Sequence, residues 1–456
     1  MQIRFLGATN TVTGSKTLLT YDNKHVLVDC GLFQGYKQLR LRNWDPLPVD
    51  PSSIKAVILT HAHLDHSGYI PLLVRNGFRG RIYCSEATWD LCKILLPDSG
   101  YLLEEEAAYA NRRGFSKHHP ALPLYTEADA EHSLKSFEPV KFGKAFEVDG
   151  LEVRFSRAGH ILGAASALIR HGDTSIAFSG DLGRPNDAIM APPETIAQAD
   201  YVVVESTYGN KPHLATDPME ELGRIVRETA ARGGVTVIPS FAVGRAQIIM
   251  HYLYMLKQSG GIPSGLPVYL NSPMAVNATE TYIRHSSDHK LTHEQCRAIW
   301  DSVKIVTSVE ESIALNLRRV PMVIIAASGM ATGGRVLHHL KAFVGDRRNT
   351  VLFAGYQAGG TRGAAMLGGA DAIKIHGEYY PVRAQVEQID NLSAHADSSE
   401  IIDWLKGFST PPRQVFITHG EPDAADTMRR QIEEQLHWRC RVPEYLESFT
   451  IGGPGA

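Results

Sequence analysis

Six consecutive residues, His61-Ala62-His63-Leu64-Asp65-His66, carry three imidazoles and a carboxylate directly after the strand-like run Ala56-Val57-Ile58-Leu59-Thr60. Neutral imidazole nitrogens and carboxylate oxygens are the ligands that zinc takes when no thiolate is on offer. In an extended turn His61 and His63 point one way, while Asp65 and His66 come round to the other side. That arrangement can hold two metals side by side. A polar surface loop has no need of three His in six positions, so the turn is read as metal-binding.

Three more residues stand where strand-like runs break at Gly-containing turns, the places from which a loop can aim a side chain into a shared cleft. Asp29 ends His25-Val26-Leu27-Val28 and precedes Cys30-Gly31-Leu32-Phe33-Gln34-Gly35; His160 lies in Ala158-Gly159-His160-Ile161-Leu162-Gly163; Asp181 closes Ile176-Ala177-Phe178-Ser179-Gly180. Taken singly, such an Asp is a cap or turn residue and such a His is a satisfied core or surface group. In this order behind a His-x-His-x-Asp-His turn, they resemble the motif set of the metallo-β-lactamase fold.

The later part of the chain extends the resemblance. Glu205 ends a strand-like run in Val204-Glu205-Ser206-Thr207-Tyr208-Gly209, His395 lies in Asn391-Leu392-Ser393-Ala394-His395-Ala396-Asp397, and His419 lies in Ile417-Thr418-His419-Gly420-Glu421. An acidic residue and two His in these places are similar to motifs A, B and C of the β-CASP nucleases. The closest match is to the RNA-processing branch that contains the nuclease subunit of the cleavage and polyadenylation specificity factor. The resemblance implies an α/β fold, a metallo-β-lactamase αβ/βα sandwich split by an inserted α/β β-CASP domain. Its expected parts are residues 1–208, 209–387 and 388–456.

The same resemblance implies two zinc ions. His61, His63 and His160 would hold the first, Asp65, His66 and His419 the second, and Asp181 would bridge them, with Asp29 accepting an imidazole N–H behind the ligands. Two metals ~3.5–4 Å apart suit hydrolysis of a phosphodiester by a bridging hydroxide. His395, one imidazole too many for the two metal spheres, is the candidate acid for the leaving oxygen, supported by Glu205. Asp65 is placed in the catalytic set with them as well as among the ligands.

Positioning these groups requires particular elements. Short β-rich runs dominate up to about Ser206: Gln2–Leu6, Lys24–Val28, Ala56–Thr60, Arg81–Cys84, Leu151–Ser156 and Tyr201–Glu205. Between Glu86 and His132 lies a charge-studded helical segment whose His118-His119 pair, in a Pro-flanked polar loop, reads as solvated surface. From about Tyr208 strands alternate with helices: Val235–Pro239 before Gly244–Lys257, Val268–Leu270 before Ala275–Arg284, and Val323–Ala327 before Val336–Val344. That is the pattern of a parallel α/β unit. The first style returns from about Val386, ending with strand Gln414–Thr418, helix Asp423–Leu436 and a tail, Ile451–Ala456, expected to fray.

In the α/β part, Pro239-Ser240-Phe241-Ala242-Val243-Gly244-Arg245 and Ala327-Ser328-Gly329-Met330-Ala331-Thr332-Gly333 each run from a strand end into a helix start, where free N–H groups favour an anion. Ser240, Arg245, Ser328 and Gly329 are the candidate phosphate contacts, with His376 approaching from a third side. Phe241 and Tyr356 are expected to pack in the core.

At 456 residues the chain exceeds one hydrophobic core, which favours two domains. No apolar run reaches the ~20 residues that span a bilayer, so no membrane partner is expected. The start reads as a first strand and not as a signal peptide, and five scattered cysteines form no CxxC pair, which suits a reduced, cytoplasmic compartment. A net charge of −3 argues against a broad nucleic-acid-binding face, though not against a narrow one. The expected activity is zinc-dependent hydrolysis of single-stranded RNA, as an endonuclease and also a 5′-exonuclease. A DNA-directed nuclease, a small-molecule metallo-hydrolase and an idle RNA-binding scaffold are the competing readings. His419 favours RNA, because the DNA-directed branch typically lacks His there; a homodimer is a further expectation.

Overall fold

Alternation of apolar residues builds the strands that carry the motifs. In Lys24–Val28 and Thr174–Phe178 the buried residues Val26, Val28, Ile176 and Phe178 face one shared core, with Phe5, Ile58, Phe155 and Phe416. Their neighbours in sequence, Ala177, Val202, Val204 and Ile417, face the other side and pack under two helices, Ser398–Leu405 and Pro422–Leu436. This period of two, with both faces of a strand covered, is what a sheet between a core and a helical layer demands.

The computed structural model describes residues 1–114, 116–213 and 216–452. They divide into two compact units, one made of Met1–Pro212 with His395–Ala456, the other of His213–Ala394. The first unit has two seven-stranded sheets. One is ordered Ser448–Thr450, Gln2–Phe5, Thr17–Tyr21, Lys24–Val28, Ile54–Ile58, Arg81–Ser85, Phe137–Val140. The other is ordered Cys440–Arg441, Gln414–Ile417, Tyr201–Val204, Thr174–Phe178, Ala165–His171, Leu151–Arg157, Ala145–Val148. Face to face they enclose the shared core, with the long helix Glu86–Arg113 beside the first sheet and the two C-terminal helices on the second.

Parallel pairing positions the site. Lys24–Val28 runs parallel to Ile54–Ile58, and Thr174–Phe178, Tyr201–Val204 and Gln414–Ile417 run parallel to one another. Their carboxyl ends deliver Asp29, His61, Asp181, Glu205 and His419 to one edge, the usual place for ligands in parallel sheets.

The second unit is a six-stranded sheet ordered Lys304–Ile305, Val268–Leu270, Met322–Ala326, Val235–Pro239, Thr350–Ala354, Gln385–Ile389, parallel throughout its pairings. Helices Arg245–Gln258, Pro273–Arg284 and Val336–Phe343 connect its strands. Gln385–Ile389 pairs in parallel with Thr350–Ala354, so the chain leaves this unit at 394/395, a little later than the expected return at Val386. The expected tail is corrected in part. Ile451 is fully buried and its N–H donates to the Met1 carbonyl at 2.8 Å; residues 453–456 lie outside the described residues. His118 and His119 are exposed. Among the described residues no helix is long and apolar enough to cross a membrane.

Candidate metal centre

His61 follows strand Ile54–Ile58 through Leu59 and Thr60, and the chain then turns into the short helix Leu64–Ser67, which His63 precedes. The turn is pinned from beneath. Cys30 N–H donates to the His66 carbonyl (2.7 Å), Leu32 N–H to the Leu64 carbonyl (2.8 Å) and Ser15 N–H to the Asp65 carbonyl (2.8 Å). Residue 31 must be glycine here, since a Cβ would stand 1.6 Å from the Asp65 carbonyl oxygen. Asp29 and His419 both take up the left-handed backbone region, at φ 59° and 52°, where non-glycine residues are uncommon and concentrate at functional sites.

Two groups of potential ligands result, His61, His63, His160 and Asp181 in one, Asp65, His66 and His419 in the other. In the first, His63 Nδ1 lies 3.2 Å from both His61 Nε2 and His160 Nε2. Asp181 Oδ2 lies 3.4 Å from His61 Nε2 and 3.6 Å from His160 Nε2. Donors ~2.0–2.1 Å from a tetrahedral zinc stand about 3.3 Å from one another, so these four atoms have the edge lengths of such a site. In the second group His419 Nε2 lies 3.1 Å from His66 Nε2 and 3.3 Å from Asp65 Oδ2. Asp181 turns its other oxygen there: Oδ1 is 3.2 Å from His66 Nε2 and 3.6 Å from His419 Nδ1. One carboxylate thus presents an oxygen to each group, the arrangement of a bridging ligand.

The electrostatics fit a cation. Burial, then the neighbouring His66, holds His61 well below the ordinary imidazole range; burial likewise brings His63 down to about 4. Neutral imidazole is the ligating form. For Asp181 burial works upward, but the imidazoles of His419, His66 and His61 outweigh it and keep the carboxyl well below its usual range. Asp65 is lowered too, its hydrogen bond from His419 and the charge of His66 overcoming burial. His66 is the reverse: burial pushes it down, yet Asp181 on one side and Asp29 on the other hold it well above the ordinary value. A divalent ion between these carboxylates would take the place of that proton.

Behind the ligands, Asp29 accepts three hydrogen bonds, from His66 Nδ1–H (2.8 Å), Thr60 N–H (2.8 Å) and the Thr60 hydroxyl (2.9 Å). Committing His66 Nδ1–H to Asp29 leaves Nε2 for the metal. Thr207 Oγ1 lies 3.0 Å from His419 Nδ1, and Ser15 Oγ 3.3 Å from His66 Nε2. Sequence reasoning missed Thr60, Thr207 and Ser15. Thr60 could have been found as the last residue before the His turn; the other two have no local signal.

Beside the ligands stands a third pair. His395 Nδ1–H donates to Glu205 Oε1 at 3.0 Å and Oε2 at 3.1 Å. Glu205 is buried and also accepts from Leu182 N–H (2.7 Å) and Thr207 N–H (3.3 Å), which fixes its orientation. Burial lowers His395, but the charge and hydrogen bond of Glu205 outweigh it and raise the imidazole above its ordinary value. The rings of His395 and His160 are 4.4 Å apart, and Asp181, Glu205 and His395 gather as one group.

Comparison with known proteins follows the same order along the chain. Residues 11–239 match the Metallo-beta-lactamase superfamily, 246–366 the Beta-Casp domain and 379–443 the Zn-dependent metallo-hydrolase RNA specificity domain. A ribonuclease from Thermus thermophilus is 37% identical over 432 residues, 93% of this chain and 94% of its own. The chain belongs to the β-CASP branch of the metallo-β-lactamase superfamily. Transcription termination factor FttA from Methanosarcina mazei is 31% identical over 99% of this chain and 72% of its own. An RNase J-like protein from Methanocaldococcus jannaschii is 29% identical over 92% of each. A solved structure of a protein of unknown function from Enterococcus faecalis V583 shares the fold, with a TM-score of 0.54 at 14% identity, covering 98% of this chain and 99% of that one. This β-CASP protein is a metal-dependent hydrolase, and its His/Asp cluster is where metal ions fit.

In the second unit of the β-CASP chain, Ser240 and Arg245 follow strand Val235–Pro239 while Ser328 and Gly329 follow the adjacent Met322–Ala326, joined by Ser240 N–H to the Ala326 carbonyl at 2.9 Å. Gly329 is buried against Phe241, whose ring a Cβ there would meet at 2.7 Å. Ser240 is buried and its hydroxyl donates to the Phe241 carbonyl (3.1 Å), which braces the turn. Phe241 and Tyr356 are half-buried and not full core residues. His376 stands apart from these turns, exposed at the tip of the hairpin Ala372–Ile375/Glu378–Pro381, its ring 5.4 Å from that of His338.

Asp29→Ala removes the acceptor that orients His66. It is expected to weaken zinc binding ~10–100-fold, as losses behind metal ligands generally do. Titration against a competing chelator measures this; unchanged affinity would remove Asp29 from the metal's support.

Proposed function

We propose that this protein is a two-zinc ribonuclease that hydrolyses phosphodiester bonds of single-stranded RNA. The observation that carries the reading is the division of the Asp181 oxygens between two His-rich groups, with the His395–Glu205 pair directly beside it. The RNA part is supported by the match to an RNA specificity domain and by the Thermus thermophilus ribonuclease. His61, His63 and His160 would hold one zinc, Asp65, His66 and His419 the other, and Asp181 both. Metal ions at these residues would supply Lewis acidity, activating water and neutralising charge on the scissile phosphate and leaving oxygen.

The chain's own residues do the rest. Asp29 and Thr207 orient ligating imidazoles from behind. Glu205, held by backbone N–H groups, takes one ring proton of His395 as an acceptor and favours the imidazolium. As a water oxygen bonds to phosphorus and the bond from phosphorus to the 3′ oxygen breaks, the His395 ring would give its proton to that leaving oxygen, so that the products are a 3′-hydroxyl and a 5′-phosphate.

Purified protein reconstituted with zinc should bind two ions per chain, because seven candidate ligands exceed what one tetrahedral ion can use. End-labelled single-stranded RNA and DNA of one sequence, given to that protein, should show the RNA cut much faster. Product lengths separate internal cleavage from trimming at the 5′ end. One zinc in a fully active preparation would end the two-metal reading, and equal cutting of DNA would end the RNA reading.

A further inference from the structure

Between Asp29 and Asp45 the chain holds Lys37, Arg40 and Arg42 and no carboxylate, within a protein of net charge −3. The same stretch keeps large apolar groups in water: Tyr36 is 49% exposed, Leu41 54% and Trp44 57%. Trp44 is the one exposed tryptophan of the five; Trp404 and Trp438 are buried, Trp89 and Trp300 half-buried. Among the described residues, neither the Lys37 nor the Arg40 side chain makes an ion pair.

This segment is not a loose loop. The side chain of Asn43 closes it, accepting from Phe33 N–H (2.9 Å) and donating through Nδ2 to the Phe33 carbonyl (2.8 Å). Between those points runs the one-turn helix Lys37–Leu41, and Trp44 N–H donates to the Leu41 carbonyl at 3.0 Å. The Arg42 guanidinium lies 4.2 Å from the Tyr445 ring and 5.5 Å from the Phe33 ring, and Lys16 Nζ lies 4.7 Å from Phe33. The base of the loop is therefore clamped and packed, while its outer residues stay in solvent.

The loop follows strand Lys24–Val28 and Asp29, and its base is hydrogen-bonded to the His61–His66 turn. Leu32 and Cys30 bond the backbone of Leu64 and His66, and Gln34 N–H donates to Thr13 Oγ1 at 3.1 Å. A clamped rim that carries unpaired cations and exposed flat rings matches single-stranded nucleic acid, whose phosphates take the cations and whose bases stack on the rings. An acidic protein would use the cations but would not require the exposed rings.

We propose that Tyr36–Trp44 is a binding site for single-stranded RNA, with Lys37 and Arg40 on phosphates and Tyr36 and Trp44 stacking bases beside the metal centre. The site rests on the reading of the protein as acting on RNA. Preorganisation of the loop means that little order is created on binding.

The test uses zinc-loaded full-length protein in a His395→Ala background, so that RNA survives the measurement, and a labelled single-stranded RNA. Binding should quench tryptophan fluorescence, and Trp44→Ala should abolish that quenching. Tyr36→Ala and Trp44→Ala should each weaken binding roughly 5- to 150-fold, the range of one base–aromatic stack. Joint replacement Lys37→Gln with Arg40→Gln should lower the slope of log affinity against log salt by about 1.4, two contacts at ~0.7 each. The exposed pair Lys141→Gln with Lys144→Gln serves as control and should change neither quantity. If RNA binds but the arm variants behave like the control pair, or the control pair loses as much, the arm site is refuted while the ribonuclease reading stands. RNA that neither binds nor is cut by the wild-type protein overturns both.

Discussion

Asp181→Ala is expected to strip metal from both halves of the centre and to abolish RNA cleavage. The expectation follows from geometry: Oδ2 belongs to the His61/His160 side and Oδ1 to the His66/His419 side, so one substitution takes a ligand from each group. It also takes away a negative charge shared by imidazoles that are packed 3.1–3.2 Å nitrogen to nitrogen. Without it, cations brought to the site face more positive or neutral groups and one carboxylate fewer. His419→Ala is the contrast. It touches the second group, so it should leave close to one ion per chain. Elemental analysis of the two purified variants, with circular dichroism to show that each is folded, decides the matter. Two ions retained in Asp181→Ala would show that this carboxylate does not bridge.

The second large effect separates the acid from the ligands. His395→Ala is expected to keep both metals and still bind RNA, yet cut ~10²–10⁴-fold more slowly, the usual contribution of a general acid. Glu205→Gln should give a milder loss, since it keeps an acceptor near His395 but removes the charge that favours imidazolium. The two losses should be less than additive, as for groups that act as a unit. The pH profile carries a sign as well. Burial lowers His395, while Glu205, ahead of Asp181 and Asp65, raises it; without the Glu205 charge the imidazole is less supported and the alkaline limb of the rate should move to lower pH. A substrate with sulfur in place of the 3′-bridging oxygen needs little protonation on leaving, and it should restore much of the His395→Ala rate. No rescue, or loss of a zinc in His395→Ala, would mark His395 as a ligand or a structural residue.

The His-rich turn was legible in the sequence because its residues are neighbours. His61, His63, Asp65 and His66 sit within six residues, and a strand followed by a short turn is enough to bring them together. The strands that deliver Asp29, Asp181 and Glu205 were legible for the same reason, as apolar runs that end at a polar residue and a turn. The alternation of strands and helices likewise announced a parallel sheet in the second unit, and several of its strands, such as Val235–Pro239 and Val268–Leu270, begin and end as read.

What the tertiary structure alone decided lies across long separations. His66 meets His419 across 353 positions, and His395 meets Glu205 across 190. Such contacts are set by which strands pair in parallel and in what register, and no local periodicity encodes that. The same holds for the split of Asp181's two oxygens, for Thr207 and Ser15 against the imidazoles of His419 and His66, and for Ser240, whose buried hydroxyl serves its own turn. Ile451 looked like part of a fraying tail because only the fold reveals that its backbone continues from a strand paired with the first strand of the chain. By itself the sequence determined the kind of chemistry, since ligand type and local spacing are carried by neighbouring residues. Which atoms face each other was decided by the packing of two sheets that bring distant strand ends to one edge.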